Sequence, residues 1–100
     1  VRLTHVLVDP HAFRRARERW QAASALDDEA LRALFRASLQ EAENRKTAVR
    51  IPGGLYVPFT LADEDGFLVV RGSFLKTAMP ARFCPDVVAF IEERKQHGSL

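Results

Sequence analysis

A single cysteine, Cys84, occurs in 100 residues. A lone thiol excludes an internal disulfide and any zinc site built from several cysteines, and it fits a reducing compartment. Histidine is scarce as well. His5, His11 and His97 are scattered, and no two have the spacing of paired metal ligands. No apolar run nears the roughly 18 residues that a membrane span requires, and the opening residues lack the pattern of a cleavable signal peptide. The expected location is therefore cytoplasmic, in the producing cell or, after delivery, in a target cell. Charge of one sign is also missing: 15 Lys and Arg against 13 Asp and Glu leave +2, so the total alone does not point to a polyanion. The Pro52-Gly53-Gly54 turn has neither the lysine nor the following helix of a phosphate-binding loop, and there is no dinucleotide fingerprint. No metal and no cofactor are expected. A start at Val1 without methionine is the pattern of a piece cut from a longer polypeptide, or of a mis-assigned start.

What is present is ordinary globular material. Hydrophobic residues at 47% and charged residues at 28% exclude a disordered chain, and the length suits one domain, residues 1–100. Residues 2–8 (RLTHVLV) read as a short strand or extended lead-in. Asp9 and Pro10 then supply an N-cap and a first helical residue. Phe13, Ala16, Trp20 and Ala23 follow at helical spacing, predicting a helix to about Ser24 with Arg14, Arg15 and Arg19 facing water. Asp27 or Asp28 caps a second helix, whose stripe Leu31, Leu34, Phe35, Leu39 and Ala42 runs to about residue 43, with Asn44 ending it.

Beyond that point the pattern changes. Residues 46–51, 55–61, 67–71 and 73–78 are short runs of β-formers, separated by Pro52-Gly53-Gly54, Asp63-Glu64-Asp65-Gly66 and Gly72-Ser73. That is an antiparallel meander. Pro58 cannot donate to a ladder, so an edge or a bulge is expected there. Pro85 and Asp86 open a last helix over 85–97, with Val87, Val88, Phe90 and Ile91 buried and Gly98 as its stop. The predicted class is α+β: a short N-terminal strand, two helices, a meander of three to four strands, and a closing helix.

The residues able to carry chemistry lie mainly in the sheet half: Lys46, Thr47, Arg50, Arg71, Ser73, Lys76 and Thr77. Strand alternation places Lys46, Ala48 and Arg50 on one face and Phe74, Lys76 and Ala78 on one face of the last strand. Lys76 would join Lys46 and Arg50 if the strands paired suitably. The plain alternative is a set of solvent-facing charges on a half-exposed sheet. RNA cleavage without metal needs a base for the 2′-hydroxyl proton, an acid for the leaving oxygen and cations around the phosphorane. His5, at the end of the predicted strand, is the histidine expected to be held rigidly. His11 falls in a helical first turn, where the dipole favours a neutral imidazole. Cys84 has no base beside it in sequence.

An early Thr4-His5-Val6-Leu7 segment, helices, and a meander whose last strand reads Gly72-Ser73-Phe74-Leu75-Lys76-Thr77-Ala78-Met79-Pro80 together resemble the barnase–EndoU–colicin–RelE-like ribonuclease group. The likeness is to its phage- and polymorphic-toxin branches, where a Lys-Thr-Ala-aromatic-Pro strand recurs. Met79 stands where an aromatic is commoner, and the final helix is longer than that group leads one to expect. The resemblance implies a metal-independent endoribonuclease toxin that cleaves RNA, often tRNA, through 2′-hydroxyl transesterification. It implies His5 as acid or base, Arg50 as phosphate ligand, Lys76 and Thr77 as contributors, and Arg71 lining the cleft. A cognate immunity or antitoxin protein is the implied partner. The alternative is a non-catalytic module binding nucleic acid or protein, with the first-helix arginines Arg14, Arg15, Arg17 and Arg19 beside Trp20 as a phosphate-contacting face. An enzyme should bring His5, Arg50 and Lys76 into one cleft, whereas a binding module needs only a continuous basic surface.

Overall fold

In a computed structural model, residues 2–96 are described. The chain begins not as a strand but as a 3-10 turn, Leu3–His5, whose three-residue period turns Leu3 and Val6 inward and leaves His5 exposed. Strand β1 is only Leu7–Val8. Helix α1, Pro10–Arg19, starts as predicted: the Asp9 carboxylate accepts from the His11 backbone N–H, and Pro10 opens the helix. It stops five residues earlier than its stripe suggests. Trp20 caps it, and a 3-10 turn over Gln21–Ala25 keeps Ala23 buried. The stripe Phe13, Ala16, Trp20 and Ala23 is buried throughout, so burial outlasts the α-helical hydrogen bonding. Helix α2, Asp28–Arg45, is capped by Asp27 and buries Leu31, Phe35, Leu39 and Ala42. Lys46, not Asn44, ends it, in the left-handed conformation at φ 55°.

Four further strands follow: β2 Val49–Ile51, β3 Gly54–Leu61, β4 Glu64–Arg71 and β5 Phe74–Pro80. These four strands form the expected antiparallel meander. The sheet nevertheless has five strands and is mixed, in the order β1-β5-β4-β3-β2, because β1 adds to β5 in parallel. Leu7 N–H donates to Ser73 O at 2.9 Å, and Asp9 N–H to Leu75 O at 3.0 Å. Pro58 lies in β3, but β2 covers β3 only from Gly54 to Tyr56, so the outer side at Pro58 needs no donor. The predicted turn 63–66 contracts to Ala62-Asp63, both at positive φ, and Gly66 sits inside β4. A Cβ at Gly66 would lie 2.4 Å from Met79 O and 2.5 Å from Trp20 Cζ2, so the glycine serves a close approach rather than a turn.

Both faces of the sheet are covered, and this sorts the side chains. Against α1 and α2 lie Val57, Phe59, Leu68, Val70, Leu75 and Ala78, around the ring series Phe13, Phe35, Phe59 and Trp20. The other face carries Tyr56, Phe67 and Val69 and meets Cys84 and helix α3, Pro85–Gln96, through Val87, Val88 and Ile91. Phe90, expected in that core, is exposed. His97 and the expected stop at Gly98 lie outside the described residues. No described helix is long and apolar enough to cross a membrane.

Candidate functional site

Strand β5 carries a bulge. Thr77 stands opposite Val69 and Leu75 opposite Val70, so Lys76 is the extra residue. Alternation therefore fails across it. Leu75 and Ala78 face α1 and α2, while Thr77 shares the opposite side with Val69, and Lys76 is re-aimed out over the sheet edge. There its ammonium lies 3.5 Å from Asp9 Oδ2 and 4.9 Å from the centre of the Phe74 ring.

Helix α1 runs beside this edge. His11, Arg15 and Arg19 recur every four residues and so form one row along its flank. His11 Nδ1 lies 3.0 Å from Asp9 Oδ1, so one carboxylate meets a histidine and a lysine through its two oxygens. The hydrogen bonds from the His11 backbone and ring hold the Asp9 carboxyl below the ordinary carboxylate range, with a further contribution from Lys76. At the far end of the row Arg19 donates to Ala78 O at 2.9 Å and to Thr77 Oγ1 at 3.4 Å. The guanidinium thus serves a β5 carbonyl past the short β1 and protects an otherwise open strand edge. Burial lowers the Arg19 pKa from its ordinary value, and Arg15 lowers it further. Arg82 donates to Arg19 O, and both guanidiniums stand over the Phe83 ring at 5.1–5.2 Å. Phe74 at 42% exposed and Phe83 at 51% are large rings left open to solvent on this side, each with a cation on it.

The predicted residues divide accordingly. Lys76 and Thr77 lie in this cluster, and the exposed Arg14 and Arg15 border it on α1. Arg50 does not. Its row, Arg50-Leu55-Val70-Leu75, belongs to the α2 side, whereas Thr77 belongs to the α3 side. Three strand spacings, roughly 14 Å, also separate β2 from β5. The predicted grouping of Lys46 with Arg50 fails too, because Lys46 caps α2 rather than extending β2. Arg71 donates to Gly53 O, which ties it to the β2–β3 turn. His5 is exposed, and its ring makes no hydrogen bond or ion pair among the described residues. Asp9, His11 and the two open rings were not expected at the site, whereas Arg19 belongs to the arginine face of the binding-module alternative. The spacing of the His11 row was visible, but which flank of α1 would meet β5 was not.

Cys84 is buried and its Sγ faces Pro80 O at 3.5 Å. Burial pushes its thiol up, only partly offset by Arg19, which does not suit a nucleophile. Among the described residues no group of three or more His, Cys, Asp or Glu could hold a metal ion. No family model, curated protein or solved structure matches the chain.

Proposed function

We propose that the domain engages RNA through the face made by α1 and β5. The observation that carries this reading is the convergence of cations from two elements on one open side. Lys76 on β5 lies over the exposed Phe74 ring, Arg19 on α1 reaches β5 and lies over the exposed Phe83 ring, and Arg14 and Arg15, the latter paired with Glu18, continue along α1. Cations with open rings suit phosphates and unstacked bases. The three strand spacings between Arg50 and Lys76 weigh against one cleft built on His5, Arg50 and Lys76. The test is binding of a fluorescein-labelled single-stranded RNA as a function of salt. Affinity should fall steeply, and Lys76→Ala should lower the log–log slope by about one. A parent slope of zero would remove nucleic acid as the ligand.

A second reading, the metal-independent endoribonuclease of the toxin group named above, is favoured by the Asp9–His11 pair. A carboxylate on Nδ1 leaves Nε2 as the nitrogen open to a 2′-hydroxyl, and Lys76 stands by the same carboxylate to face the phosphorane. This version keeps Lys76 and Thr77 and replaces His5 and Arg50 by His11 and Arg19. Expression would then arrest bacterial growth, and a neutralising immunity or antitoxin protein would cover the α1–β5 face. Cleavage in excess EDTA decides it. His11→Ala should slow cleavage by about a hundredfold or more while RNA binding persists. Cleavage that needs added magnesium, or is lost with His5→Ala and kept with His11→Ala, would contradict this placement.

A further inference from the structure

A cavity of about 630 Å³ opens between α3 and the sheet, and none of the α1–β5 cluster residues lines it. It exists because β2 begins only at Val49, opposite Tyr56, while β3 continues to Leu61, so the outer part of β3 has no strand beside it on that edge. Val49, Phe67, Val88 and Ile91 supply apolar walls. Three charged side chains complete the lining, each from a different element: Lys46 from the cap of α2, Asp65 from β4 and Glu92 from α3. Asp65 is steadied by the Thr60 hydroxyl at 2.8 Å. Lys46 is steadied by its backbone, since its N–H donates to Ala42 O in a left-handed conformation where Gly or Asn is the usual choice. Neither Lys46 nor Glu92 makes an ion pair among the described residues. The size lies within the range of small-molecule sites, which combine apolar walls with a few polar groups.

The charges narrow the ligand. A simple acid would find Lys46 but face two carboxylates, and a simple amine would satisfy the carboxylates and leave Lys46 unmatched. The geometry points to a binding site for a small zwitterion with an apolar body, of the class of a hydrophobic dipeptide. Its ammonium lies toward Asp65 and Glu92, its carboxylate toward Lys46, and its side chains against Phe67, Val88 and Ile91. This site is separate from the α1–β5 face and does not depend on RNA binding.

The probe is the dipeptide Phe-Leu, titrated into the whole 15N-labelled chain, with its N-acetyl and C-amide forms beside it. Saturable shifts are expected at the Val49, Phe67 and Val88 amides. Exposed charge pairs contribute modestly, so acetylation, which loses two carboxylate contacts, should weaken binding by roughly fivefold and amidation by roughly twofold. Lys46→Ala should abolish the difference between the acid and the amide. Asp65→Asn with Glu92→Gln should abolish the difference between the free and acetylated amine. All three positions are exposed, so these variants should fold. No saturable shift at the three amides, or equal binding of all three peptides, would overturn the assignment.

Discussion

The Asp9 carboxylate accepts from His11 through one oxygen and faces the Lys76 ammonium, 3.5 Å away, through the other. One side chain thereby caps α1, orients an imidazole and tethers the bulged residue of β5. Since its folded pKa lies below the ordinary value of 3.8, its contribution to stability is fully present above that value. It is lost as pH falls through the lower folded pKa. The Tm of the parent should therefore drop more steeply below about pH 4 than that of Asp9→Asn. Parallel curves for the two proteins would show that the carboxylate's charge contributes nothing.

Gly66→Ala should destabilise the fold by about 1–3 kcal/mol, the scale of an overpacked site. The added methyl meets Met79 O and Trp20 Cζ2, and the indole cannot swing aside freely because its Nε1–H donates to Glu64 O at 3.1 Å. Thermal or urea unfolding measures the loss. An unchanged Tm would mean that the strand and the indole separate easily here.

Phe35 stacks on Phe13 at 5.7 Å and meets Phe59 edge-on at 5.4 Å, linking α1 and α2 to the sheet. Phe35→Ala should cost about 3–5 kcal/mol. Phe90→Ala, at an exposed position of α3, should cost much less. Chemical denaturation of the two variants side by side tests the order.

For RNA, Arg15→Ala should lower the salt slope by about one and Arg50→Ala should leave it unchanged. Arg15 lies in the α1 row beside β5, while Arg50 is on β2, three strands away from β5. Equal effects would return Arg50 to the binding surface.

Cys84 should react with a thiol reagent far more slowly than free cysteine at neutral pH, because it is buried and its pKa is raised. Rapid modification of the folded protein would contradict both its burial and its inertness.

The features legible in the sequence were those that neighbouring residues decide among themselves. Asp9-Pro10 capped α1, Asp27 capped α2, and the Phe13–Ala23 stripe and all of the Leu31–Ala42 stripe but the partly buried Leu34 were buried, because helix hydrogen bonds and amphipathic periodicity act over a few residues. Four β-forming runs were legible for the same reason, although the second turn fell at Ala62-Asp63 and Lys46 went to the cap of α2. Strand partners, by contrast, depend on contacts between distant segments. The parallel docking of Leu7–Val8 on β5 made the sheet five-stranded and mixed, and nothing within residues 2–8 encodes their partner. The bulge at Lys76 broke the two-residue alternation that grouped it with Phe74 and Ala78, since a bulge is defined by the register of two strands. Strand order then separated Arg50 from Thr77, and the packing of α1 on β5 brought Asp9, His11 and Arg19 to Lys76. Residue types and local periodicity thus determined the elements. Only the long-range pairing of β1, β4 and β5 decided which charges would meet.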